Sequence, residues 1–159
     1  MNTKFVTGFF SGLFISIMLI GVSLYQAMPN LMINENISQY NLEETAQLIQ
    51  KNVKDADWKI AKTYEFDKML AKDGHHFAPV TVFELCQPHH AANILSDFNS
   101  RSVSSLMPCR VALYENAQGQ VIVSRMNSGL MSHFFNDNVQ NVMQKAVAET
   151  EAILDPLFK

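Results

Sequence analysis

Between Lys4 and Glu35 the chain carries no charged side chain, and within that gap Phe5–Tyr25 is almost wholly apolar. Twenty-one helical residues rise roughly 31 Å, the hydrocarbon thickness of a bilayer. The stretch predicts one membrane-spanning helix. Beyond it the pattern breaks into short periodic runs of the kind a folded domain uses. Pro29 and the asparagines of Met28–Asn34 mark a linker, which predicts a tail and anchor over 1–28, a linker over 29–34 and a folded domain over 35–159.

Within that domain Glu35–Tyr40 reads as a first strand. Asn41 followed three residues later by Glu44 is a helix-start signature, and Leu42, Ala46, Ile49 and Val53 then recur at helical spacing. Trp58–Tyr64 alternates apolar and polar residues, predicting a half-buried strand with Trp58, Ile60 and Tyr64 inward. Phe66–Gly74 is a polar loop or short helix. In Val80–Cys86 the alternation puts Val80, Val82, Glu84 and Cys86 on one face and Thr81, Phe83 and Leu85 on the other. Pro88 suits the first helical position of a helix to Phe98, with Ala91, Ile94, Leu95 and Phe98 inward. Ser100–Ser105 is a serine-rich loop. Cys109–Glu115 and Gln120–Met126 form a hairpin around Asn116-Ala117-Gln118-Gly119, whose Asn and Gly tolerate positive φ. After Asn127-Ser128-Gly129, apolar positions from Phe135 to Leu154 predict one long closing helix. The order β-α-β-β-α-β-β-α implies an α+β fold: a small antiparallel or mixed sheet with packed helices, preceded by one transmembrane helix.

Composition agrees with a single core-forming domain: 159 residues, 48% hydrophobic and 10% aromatic. A net charge of −3 with no basic run leaves no electrostatic footprint for nucleic acid. Lys4 lies before the apolar helix, while Glu35, Glu43 and Glu44 follow it with no basic residue before Lys51. The positive-inside rule therefore places the N-terminus in the cytoplasm and the domain in the periplasm of a single-pass bacterial inner-membrane protein. A cleaved secretory signal competes, but Tyr25-Gln26-Ala27 puts a bulky residue where a signal cleavage site wants a small one. Gly8 and Gly12 form a G-x-x-x-G pair that suits close helix approach, although glycine is common in membrane helices in any case.

The chemistry-bearing residues cluster around the only two cysteines, Cys86 and Cys109. In an oxidising compartment two cysteines at strand ends predict a disulfide between them. Two other readings stay open. Cys86, before the helix at Pro88, could be a thiol activated by the positive helix end. Cys86, His89, Cys109 and Met107 could hold a soft ion, copper or zinc, although adjacent His89 and His90 diverge by about 100° on a helix and cannot both face one site. His75 and His76 lie in a glycine-containing loop without a partner. Glu84, on its strand, faces solvent or pairs with Arg110 or Arg125. No phosphate-binding, dinucleotide-binding, zinc-protease, nucleophile-elbow or C-x-x-C motif occurs, and the sequence names no ligand or cofactor.

Several short stretches in order resemble the domain-of-unknown-function 302 family. They are Tyr40-Asn41-Leu42-Glu43-Glu44-Thr45, Phe83-Glu84-Leu85-Cys86-Gln87-Pro88, Ala91 to Leu95, Met107-Pro108-Cys109-Arg110, Val111–Tyr114, the Gly119 turn and Val121–Ser124. The resemblance covers roughly Ile37 to Phe135 and leaves out the anchor and the last helix. It implies a compact α+β domain that pairs as a homodimer, and it brings no catalytic residue with it. The reading is therefore a membrane-anchored binding or sensing module, with a thiol-dependent redox or metal-handling protein as the alternative.

Overall fold

The computed structural model describes residues 3–158, with side chains from 12 onward. Helix α1 runs Thr3–Met32, and its segment Gly12–Met32 is long and apolar enough to cross a membrane, with no part of that window buried in the domain. Gly8 lies within α1, and the side chains of the first residues of the expected span are not described. No irregular linker follows. The helix continues through Pro29 to Met32, and strand β1 begins at once, at Ile33. Pro29 sits in the final turn, so only bonds next to the helix end are affected by its missing N–H.

Five strands make one antiparallel sheet in the order β1-β5-β4-β3-β2, with β1 Ile33–Ile37, β2 Lys59–Glu65, β3 Val80–Cys86, β4 Cys109–Glu115 and β5 Val121–Met126. The hairpin between β4 and β5 forms where expected. Gly119 sits at φ 72°, and Asn116 Oδ1 accepts from the N–H groups of Gln118 at 3.0 Å and Gln120 at 2.9 Å. Helix α2, Leu42–Asp55, is capped by Asn41, whose Oδ1 accepts from Glu44 N at 2.9 Å.

One sheet face is covered. Phe83, Leu85, Val111, Leu113 and Val123 pack against Ile49 and Val53 of α2 and against Ile153 and Leu154 of α6, Asp137–Leu154. A second cluster joins Ile94 of α4, Pro88–Ser96, to Val103 in a 3-10 turn over Arg101–Leu106 and to Val139 and Val142 of α6. The expected long closing helix is two: α5, Ser128–Ser132, then α6, whose start is fixed by Asn136 Oδ1 accepting from Val139 N at 3.0 Å. A further short helix, α3, spans Phe66–Ala71.

Three inward assignments are corrected. The β2–β3 register shifts between Ile60 and Lys62, and a bulge of this kind reverses which face later residues occupy. Tyr64 is thereby paired with Val82 and reaches Glu84 instead of the core. Helix α4 stops at Ser96, so Phe98 lies beyond it and is 78% exposed, while Leu95 is exposed on its outer side.

Candidate functional site

The register of β3 and β4 sets the two cysteines side by side. Leu85 is directly opposite Cys109, so Cys86, the last residue of β3, is one step diagonal to it. Adjacent strand positions send side chains to opposite faces, and the structure has both residues as free, half-buried thiols. The expected disulfide is not formed: the pair is neighbouring, but the strand alternation does not aim one sulfur at the other. Burial, followed by the neighbouring Cys86, pushes the Cys109 thiol above its ordinary pKa.

Both cysteines border a cavity of about 90 Å³ between the covered sheet face, α4, the 3-10 turn and α6. Its walls are mainly aliphatic: Leu85 and Val111 from the sheet, Ile94 and Val103 from one side, Val142 and Ala146 from α6. Met107, Met126 and Met143 add thioethers. The polar groups at its edge are largely engaged with one another. Arg125 Nε donates to Glu151 Oε1 at 2.7 Å, and Arg125 Nη1 donates to Asn36 at 2.8 Å. Glu149 accepts from Trp58 Nε1 at 2.9 Å and lies 3.0 Å from His90 Nε2. His90 also meets the Trp58 ring edge-on, with centroids 6.0 Å apart.

Of the histidines considered from sequence, His90 borders the cavity, and the candidate ligand His89 does not. His89 is exposed on α4, 3.4 Å from Asn93 Nδ2. The roughly 100° between successive helical residues leaves room for only one of them, and His90 is the one that meets Trp58 and Glu149. Cys86, Cys109 and Met107 do share the cavity wall, but among the described residues no three His, Cys, Asp or Glu side chains gather as a metal site. A tetrahedral zinc set is not assembled here. His75 and His76 are exposed in their loop.

On the uncovered sheet face Glu84 is only 8% exposed. It accepts from Arg110 Nε at 3.2 Å, Arg110 Nη2 at 3.1 Å and Tyr64 at 3.2 Å. Arg110 is thus the partner, since it stands opposite Glu84 in the ladder, while Arg125 points to the covered face. Tyr114 donates to Glu35 at 2.5 Å, and burial first, then that carboxylate, pushes its phenol up to about 12.

Trp58, Glu149 and the Arg125–Glu151 pair were not singled out from sequence as a site. Trp58 and Glu149 are 91 residues apart, and no spacing rule relates residues joined only by tertiary packing.

No curated protein matches the chain. Among solved structures it resembles the crystal structure of the uncharacterized conserved protein DUF302 from Bacillus stearothermophilus. The likeness has a TM-score of 0.70 and 18% identity, and it covers 79% of this chain and 98% of that one, which establishes the shared fold. The family described as Domain of unknown function DUF302 matches residues 34–157, so the similarity extends through the last helix, which the short sequence motifs had left out. The chain belongs to the DUF302 family.

Proposed function

We propose that this protein is a membrane-tethered periplasmic module that binds a small apolar molecule in the cavity between the sheet and helices α4 and α6. The carrying observation is the cavity itself: about 90 Å³, aliphatic on most sides, with its nearby charges already paired. Apolar cavities of this character stay dry and accept apolar guests, and one of about 150 Å³ takes benzene. The guest here is smaller than benzene unless the walls move. Cys109, which shares the covered face with Leu85, offers a thiol at its wall, a weak donor that suits a poorly hydrated guest. The charge pattern around the anchor supports a cytoplasmic N-terminus and a retained membrane helix.

The rival metal chemistry would draw on both cysteines, and burial disfavours the thiolate of Cys109. Pairing of two copies belongs to the reading as well, because tethering to one membrane raises the effective concentration of each copy for the other. The test of ligand class is a titration with small hydrocarbons, following the methyl NMR signals of Ile94, Val142 and Met143. Saturable shifts confined to those methyls, and lost in Ala146→Leu, support the proposal. Shifts spread over the surface or unchanged by Ala146→Leu would sink it.

A further inference from the structure

The most exposed aromatic rings of the folded domain lie together near the root of the membrane helix. Phe98 and Phe134 are 78% and 77% exposed, whereas Phe77, beside the far sheet edge, is 45% exposed. Asn127 connects this region to the anchor: its N–H donates to Met32 O at 2.7 Å and its side-chain amide donates to Leu31 O at 2.9 Å. The same side chain caps α5 by accepting from Leu130 N at 3.1 Å, which fixes exposed Leu130 beside the helix end. Two residues after Phe134, Asn136 donates to Ser100 Oγ at 3.3 Å, and Asn138 donates to Asp97 at 3.5 Å. The Phe98 loop and the Phe134 turn are therefore held side by side. Arg101 lies 3.9 Å over the Phe98 ring, and its Nε donates to Leu95 O at 2.9 Å.

Resting on the reading that α1 spans the membrane, we propose that Phe98, Phe134 and Leu130 insert into the headgroup–acyl boundary of the same bilayer and seat the domain on its surface. Continuity with the spanning helix identifies the occupant, because the end of α1 is hydrogen-bonded to the element that carries Leu130. Phenylalanine and leucine are among the apolar side chains that interfacial segments bury at the headgroup–acyl boundary, and an arginine stacked on such a ring can reach lipid phosphate with its stem on apolar surface. Facing charges are mixed, with Arg101 and His133 against Asp97 and Asp137, so the attraction is apolar and neutral lipid suffices.

The experiment uses the full chain in phosphatidylcholine vesicles with brominated acyl chains, compared with the unsubstituted protein, whose only tryptophan, Trp58, is buried. Phe98→Trp and Phe134→Trp should lose most of their added emission and Phe77→Trp should keep its own. Leu19→Trp, within α1, reports the spanning helix and should be quenched. Quenching at Leu19→Trp without quenching at either phenylalanine position overturns the seating while leaving the anchor intact. An unquenched Leu19→Trp overturns the spanning reading and the seating with it. Quenching of Phe98→Trp and Phe134→Trp that appears only when phosphatidylglycerol is added would overturn the apolar basis.

Discussion

Arg125 and Glu151 are joined at the edge of the cavity, with Arg125 Nε donating to Glu151 Oε1 at 2.7 Å and Nη2 donating to Oε2. The Arg125 side chain is 8% exposed and its guanidinium lies 5.3 Å from the Phe158 ring, while the Glu151 side chain is 34% exposed. The pair ties the β5 strand to α6 and closes one end of the site. Glu151→Ala leaves a buried guanidinium with only Asn36, and should cost about 3 kcal/mol, toward the low end for a broken buried pair. The double variant Arg125→Met, Glu151→Leu should cost clearly less than Glu151→Ala alone. Urea unfolding of the three proteins checks this, and a double variant at least as unstable as Glu151→Ala would contradict it.

Alkaline pH should weaken the fold. The folded state raises the Cys109 thiol pKa, so its contribution is fully present below the ordinary thiol value of about 8.5 and is lost as pH rises through the raised value. Tyr114, pushed up to about 12, acts in the same direction at higher pH. Stability measured at neutral pH and above the ordinary thiol pKa should fall less in Cys109→Ala than in the parent. An equal fall in both would rule out the thiol as a cause.

The two cysteines should count as thiols. Alkylation of membrane-extracted protein, denatured without reductant, should add two labels by intact mass, and in the native protein Cys109 should react slowly because it is buried and protonated. A mass without labels would mean that Cys86 and Cys109 are bridged despite their opposed strand positions.

Much of the fold could be read from local chemistry. The Asn41 cap, the Val80–Cys86 alternation and the Asn116–Gly119 turn each depend on residues within a few positions of one another, and each forms as expected. Features that depend on contacts distant in sequence were not legible. A bulge at Ile60/Lys62 turns Tyr64 away from the core, and the early stop of α4 leaves Phe98 outside the core although it continues the apolar spacing. The choice of His90 over His89 is made by Trp58 and Glu149, one before the helix and one far beyond it. The cysteines were found because they are the only two, but strand register, not sequence, decides how their sulfurs face.

Self-association should be measurable in the full chain. Light scattering on detergent-solubilised full chain, corrected for bound detergent, should give twice the chain mass of 18.0 kDa. Monomer mass at every attainable concentration would remove pairing from the account.

The central claim, an apolar binding cavity, is tested most directly by diffraction from crystals held under xenon pressure. Xenon is apolar and polarisable, and it fills cavities that exclude water. The account predicts a single strong xenon peak among Leu85, Ile94, Val142 and Ala146, close to Cys109 and absent from Ala146→Leu crystals. Ordered water in that space, or xenon bound elsewhere while the cavity stays without it, would contradict the claim.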